Sequence, residues 1–244
     1  MRFLVISDIH ANLEALAAVL KHSEGDYEKI LCLGDVVGYG ADPNRVTNWV
    51  RDNCDAVIRG NHDKACCGLQ DPVEFNPVAR RAAEWTYDEL TEENRQYLRE
   101  LPQGPLDLDR FLLVHGAVTD EDEYLIDMND AARQFEHMMG RLVFFGHTHI
   151  QGGFFLRSLN GASPPAEERP QTAVSVREGD TMLINPGSVG QPRDHVWQAA
   201  YAIFDTVRGE VEYRRQSYDV AQAQEKIRAA GLPSQLADRL AVGR

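Results

Sequence analysis

The chain has 244 residues, 43% of them hydrophobic and 26% charged, an ordinary globular composition with ample material for a core, read here as one α/β domain over 1–244. Its formal net charge of -13 at pH 7 argues against sequence-independent binding to nucleic acid or to an anionic membrane, both of which need a basic face. An acidic chain that handles phosphate needs a local cationic centre to offset its own field.

The N-terminal stretch MRFLVISDIH carries an apolar run that is too short for a signal sequence and reaches an acid at Asp8. It fits a buried strand instead. Leu13, Leu16, Ala17 and Leu20 then repeat at helical spacing, with Asn12 placed to cap. The runs KILCLG (29–34) and DAVIRG (55–60) follow as further strands. Residues 64–102 read as a helical insert: Asn76 and Pro77 form a cap and first turn, and Thr91 caps a second helix. RFLLVHG (110–116), RLVFFG (141–146) and TMLINPG (181–187) are again strand-like. Between GGFFLR and AVSVREG, residues 158–173 are rich in Pro, Ala and charge and read as a mobile hairpin loop. The tail offers two β-like stretches, AAYAIFDT and EVEYRRQSY, joined by an Arg-Gly-Glu turn, then a helix over 220–230. Runs this continuously apolar predict strands buried on both faces, as in an α/β layer structure.

No run of ~18 apolar residues is present to span a membrane. Cys32, Cys54, Cys66 and Cys67 show no Cys-x-x-Cys pairing and read as free thiols. The expectation is a cytoplasmic, reduced protein.

The residues that follow each strand carry the chemistry. Asp8 and His10 follow the first, Asp35 the second, and Asn61, His62 and Asp63 the third. His115 follows the fourth, and His147 and His149 the fifth. Ligands of open α/β sheets bind beyond the carboxyl ends of strands, so five such ends point to one place. Gly34, Gly60, Gly116 and Gly146 would let the backbone turn sharply there. A single histidine on such a chain is more often structural than a ligand, and His22, His137 and His195 read as surface or rim residues. Two imidazoles one residue apart, His147 and His149, repel if protonated, and a shared demand for cations explains their company.

The ordered series Asp8-x-His10, Gly34-Asp35, Gly60-Asn61-His62-Asp63, His115 and Gly146-His147-x-His149 resembles the calcineurin-like metallophosphoesterases, over residues 3 to about 190. The resemblance implies two packed mixed β-sheets flanked by helices, with a dinuclear metal site at the strand ends. It assigns Asp8, His10, Asp35 and His149 to one ion and Asp35, Asn61, His115 and His147 to the other, with Asp35 bridging. It makes His62 the general acid; Asp63 would orient it, although consecutive side chains often diverge. It gives Arg59 a contact with substrate phosphate, as in the serine/threonine protein phosphatases. This chain departs from those phosphatases at Gly38 and Tyr39, where an Asp-Arg pair is expected, so a second phosphate-binding arginine and an acid supporting the catalytic histidine are missing. The opening SDIHANLEAL is closer to the small bacterial phosphodiesterase-like branch, where Asn12 is either a cap or a support behind the site. INPGSVGQPRD (184–194) reads either as a backbone anion cradle with Arg193 supplying the absent cation, or as a structural turn.

Two cations can bind phosphoryl oxygens, acidify a shared water and stabilise charge in an in-line displacement. The donor set suits two divalent transition-metal ions such as manganese, iron, zinc or nickel better than calcium. The expected function is metal-dependent hydrolysis of a small phosphorylated substrate, diester or monoester. Dinucleoside polyphosphate hydrolysis and a serine/threonine phosphatase-like activity are the alternatives. A non-catalytic scaffold, as in a retromer subunit of the same fold, would have lost His62 or several ligands.

Overall fold

The computed structural model describes residues 1–138, 140–156, 166–168 and 172–244. Strands β1 (Arg2–Ile6), β2 (Lys29–Cys32) and β3 (Ala56–Val57) run parallel, linked through helices α1 (Leu13–His22) and α2 (Pro43–Asn53). Helix α3 (Asn61–Cys67), a short turn at Pro72–Glu74, α4 (Pro77–Glu89) and α5 (Glu92–Glu100) follow. The second sheet takes β4 (Leu106–Asp107), β5 (Phe111–Leu113), β6 (Leu142–Phe144), β7 (Gly152–Leu156) and β8 (Ala166–Glu168), with α6 (Met128–Phe135) between β5 and β6. Strand β9 (Ala173–Ser175) returns to the first sheet, and β10 (Thr181–Asn185) joins the second. The first sheet is completed by β11 (Ala199–Asp205) and β12 (Glu210–Gln216), and α7 (Val220–Ala229) and α8 (Ser234–Leu240) close the chain. Both sheets are mixed: β3-β2-β1-β11-β12-β9 and β4-β5-β6-β10-β7-β8. The loop expected over 158–173 lies mostly outside the described residues; within it, β8 pairs antiparallel with β7.

Why the strand sequences are continuously apolar is visible in which core each side chain enters. In β1, Phe3 and Val5 face the second sheet, while Leu4 and Ile6 face the helices. In β6, Leu142 and Phe144 point between the sheets and Val143 points to α6. These strands are buried on both faces, so no polar alternation is available; β12 instead alternates, with Val211 and Tyr213 buried between less buried polar residues. Phe3, Phe111, Phe144 and Phe204 knit the sheets together, with Phe111 edge-on to Phe3 and to Phe204 at 5.4 Å in each case. This packing fixes where the strands end, and hence where the ligands begin. No helix among the described residues is long and apolar enough to cross a membrane.

Candidate metal centre

The parallel strands β1, β2, β5 and β6 all deliver their C-terminal residues to one end of the sandwich. The turns there are strained in an unexpected way. Gly34 takes a left-handed φ of +93°, as expected for a turn glycine, but Gly60 and Gly146 do not. Their role is space: a Cβ on Gly60 would lie 2.2 Å from Asp35 Oδ1, and one on Gly146 2.1 Å from Ser7 Oγ. The left-handed conformations fall instead on the candidate ligands themselves: Asp8, His10, Asp35, His147 and His149 have φ between 49° and 65°. Such conformations cost roughly 1–3 kcal/mol each and persist only where the surroundings over-determine them. Backbone bonds from Asp8 and His10 N–H to the carbonyls of Gly34 and Asp35 do that here.

Two groups of side chains converge with their ligand atoms within 4.8 Å of one another: Asp8, His10, Asp35 and His149, and Asp35, His115 and His147. Asp35 belongs to both. Its Oδ2 faces His10 Nε2 and its Oδ1 faces His115 Nε2, each at 3.5 Å. Asn61 Oδ1 joins the second group, 3.3 Å from His115 Nε2.

The arrangement asks for cations. His10 Nδ1 donates to Val37 O at 3.0 Å and His149 Nδ1 to Gln191 O at 2.6 Å. Burial holds both imidazoles well below the usual histidine range, so they are neutral and each Nε2 carries a lone pair. Those two Nε2 atoms lie 3.1 Å apart with no proton between them. Asp8 Oδ2 is buried with no hydrogen-bond partner among the described residues, and burial, reinforced by Asp35, pushes the Asp8 carboxyl up to about 7. Burial pulls His115 down, but the charge of Asp35 and its contact outweigh it and raise the imidazole to about 10. The protein on its own recruits a proton where positive charge is wanted. The residues fit divalent metal ions.

His62 lies in the first turn of α3, its backbone N–H donating to Asp35 Oδ1 at 2.9 Å. Its ring packs between His10, Tyr39 and Phe75, at 4.9, 4.3 and 4.8 Å, and belongs to neither ligand group. Its Nδ1 is buried and without a partner among the described residues. Asp63 does not orient it. Both Asp63 oxygens accept backbone N–H groups, from Gly60 at 2.9 Å and Val37 at 3.2 Å, so Asp63 clamps two ligand-bearing turns. Successive side chains on a helix point about 100° apart, and Asp63 turns back to cap its own helix.

One other expectation is corrected, that for Arg59, and two alternatives left open, for Asn12 and for the turn after β10, are resolved. The Arg59 guanidinium is held by both oxygens of Glu121, at 3.1 and 2.8 Å, and by Gln103, so it is not presented to the cluster. Asn12 has no free amide: its Oδ1 caps Ala15 N–H and its Nδ2 donates to Gly190 O and Tyr218 Oη. The turn after β10 is structural, since the N–H groups of Gly187, Val189, Gly190 and Gln191 are spent on Asn185, Ser7, Asp8 and Ser188. It staples the Asp8 turn and offers no cradle to an anion. Arg193, which leaves this turn, does face the cluster. Its Nη2 donates to Tyr39 Oη and Gln191 Oε1 at 3.3 and 3.2 Å, and its buried Nε has no partner among the described residues.

Sequence reasoning missed the aromatic surround. Tyr39 lies against His10 and His62, and Tyr124 stacks on His147 at 3.7 Å. Tyr39 stands in the ligand segment itself, only four residues after Asp35, which was a usable signal. Tyr124 sits in the acidic run TDEDEYL, and nothing local marks it. His137 and His195 are exposed, as is His22, whose Nδ1 bonds Tyr201 Oη at 2.7 Å.

Comparison with known proteins places this geometry. The family description "Calcineurin-like phosphoesterase superfamily domain" matches residues 1–209. An uncharacterized protein of Methanocaldococcus jannaschii is 39% identical over 248 residues, covering 98% of this chain and 97% of its own. The crystal structure of a metallophosphoesterase from Sphaerobacter thermophilus matches with a TM-score of 0.86 and 40% identity, over 100% of this chain and 99% of that one. A hypothetical protein of Pyrococcus horikoshii shares the fold, at a TM-score of 0.78 and 20% identity over 100% and 98% of the two chains.

Proposed function

Because this chain belongs to the calcineurin-like phosphoesterase superfamily, we propose that it hydrolyses phosphoester bonds of a small phosphorylated substrate with two divalent transition-metal ions. The observation that carries this reading is Asp35, one carboxylate whose two oxygens face imidazoles of two separate ligand groups. One ion would be held by Asp8, His10, Asp35 and His149, the other by Asp35, Asn61, His115 and His147. When bound, the pair supplies the positive charge and the activated water that phosphoryl displacement requires.

The chain's own groups do the rest. Arg193 binds a non-bridging phosphoryl oxygen through the Nε–H that the protein leaves unpartnered, with Tyr39 and Gln191 fixing the guanidinium plane. His62 protonates the leaving oxygen. Burial draws this imidazole down to about 4, with the charge of Asp35 opposing, so it is neutral in the free site. An anionic substrate beside it favours the imidazolium, and the proton is taken up with the substrate. Tyr39 and Phe75 keep water from the ring. A scaffold has no use for this set, and His62 is retained alongside every ligand position. A protein-phosphatase-like site is not favoured either: a Cβ on Gly38 would lie 2.6 Å from His62 Nδ1, so no supporting acid fits there.

The test is a panel of p-nitrophenyl phosphate, bis-p-nitrophenyl phosphate, cyclic nucleotides and dinucleoside polyphosphates, assayed with and without added manganese. Turnover should depend on the metal. Arg193→Gln should lower kcat/KM by about 10–100-fold, in line with loss of a hydrogen bond to a charged group. Arg59→Gln should leave kcat/KM nearly unchanged. The reverse ranking would return the phosphate contact to Arg59.

A further inference from the structure

Four imidazoles line the centre, and three are oriented alike. His10, His115 and His149 donate Nδ1–H to the carbonyls of Val37, Leu33 and Gln191, all on segments that themselves build the site. His147 is the exception. Its Nε2 donates to Asp122 O at 3.1 Å, which leaves Nδ1 as the atom with a free lone pair. Asp122 lies on an excursion, residues 117–124, that leaves the site after His115 and returns with Tyr124 stacked on the same ring. The tautomer of His147 therefore depends on where this excursion is held.

What holds it is Lys64. The ammonium, with its side chain only 9% exposed, lies 2.8 and 2.6 Å from the two oxygens of Asp122 and 2.9 Å from Glu121 Oε1. Glu121 in turn takes Arg59, beside Gly60. Lys64 sits one turn along α3 from Asn61, the amide that joins His147 in the second group. The two ligands thus approach from different elements, and one buried cation ties the helix that carries Asn61 to the excursion whose Asp122 carbonyl meets His147. The excursion has little other room: a Cβ on Gly116 would lie 2.5 Å from Glu123 O and 2.7 Å from Glu121 O. Groups that orient metal-bound histidines typically contribute 10–100-fold in metal affinity.

We propose that Lys64 is a positioning residue for the second metal site: through Asp122 it fixes His147 in the tautomer that presents Nδ1, and so sets the affinity of that site without touching the other. The inference rests on the two-metal reading but has a readout independent of it.

Lys64→Met keeps the length of the side chain and removes the charge. Two measurements should be made on it and on the wild type: a manganese(II) titration of metal-stripped protein by calorimetry, and histidine tautomers by long-range ¹H–¹⁵N correlation in the metal-free state. The wild type should take up two ions. In the variant one uptake step should weaken by about 10–100-fold while the other is unchanged. His147 should lose its Nε2–H signature while His10, His115 and His149 keep Nδ1–H. Asp122→Asn, at a more exposed position, should shift both readouts in the same direction by less, which covers the case where Lys64→Met folds poorly. An unchanged His147 tautomer, or equal weakening of both steps, would overturn the proposal. A wild type that binds no manganese would sink the two-metal reading, and the tautomer comparison would still decide the role of Lys64.

Discussion

Asp35→Asn should remove both manganese uptake steps together and abolish turnover, while the folded protein survives. The substitution preserves shape and a side-chain oxygen for the His62 N–H that Asp35 Oδ1 accepts at 2.9 Å. It removes the one charge shared by the two ligand groups. His10→Ala provides the contrast, because His10 stands in one group only. That variant should weaken one step and leave the other measurable. Calorimetric titration of both variants, with circular dichroism to confirm folding, checks the pair. Equal behaviour of the two would mean that Asp35 is not the bridge.

The second large effect belongs to His62. A positioned general acid typically contributes ~10²–10⁴ in rate, and the contribution should scale with the need of the leaving group for a proton. An alkoxide needs one far more than p-nitrophenolate does. His62→Asn should therefore retain both metals and partial activity on p-nitrophenyl esters, yet lose most activity on alkyl or nucleoside esters. His62 contacts Asp35 through its backbone N–H and lies outside both ligand groups, so the substitution need not disturb the metals. Equal losses on both substrate classes, with metal content intact, would remove His62 from the acid role. Loss of a metal would make it a ligand.

The centre was legible in the sequence to the extent that it is written locally. Each candidate ligand lies within a few residues of the end of an apolar run, because the sandwich buries these strands on both faces and the turns that follow them fall at one end of the fold. The α/β architecture follows from the same runs. The polar helices were harder to see: α2 buries only Pro43, Val46, Thr47 and Val50, too thin a stripe to stand out by period. What escaped a linear reading depends on partners far along the chain. Arg59 resembles a phosphate ligand until Glu121, 62 residues on, occupies its guanidinium. Asp63 resembles a partner of His62 until the helix carries it back to Gly60 and Val37. The glycines of the strand ends suggested turns, whereas most of the unusual backbone conformations were taken by the ligands, and Gly60 and Gly146 were needed for close approach. Neither the His147 tautomer nor the Lys64 strut has any sequence signature, since both arise from contacts with one residue, Asp122, brought in by a loop.

The most direct test of the account is anomalous diffraction at the manganese edge from crystals of the manganese-loaded protein. Two peaks are expected ~3.5–4 Å apart, the spacing usual for two-metal phosphoryl-transfer sites. They should lie either side of Asp35, one beside His10 and His149 and the other beside His115 and His147. A single peak, closed by four protein ligands with Asp35 bound through one oxygen, would contradict the two-metal centre and the hydrolysis built on it.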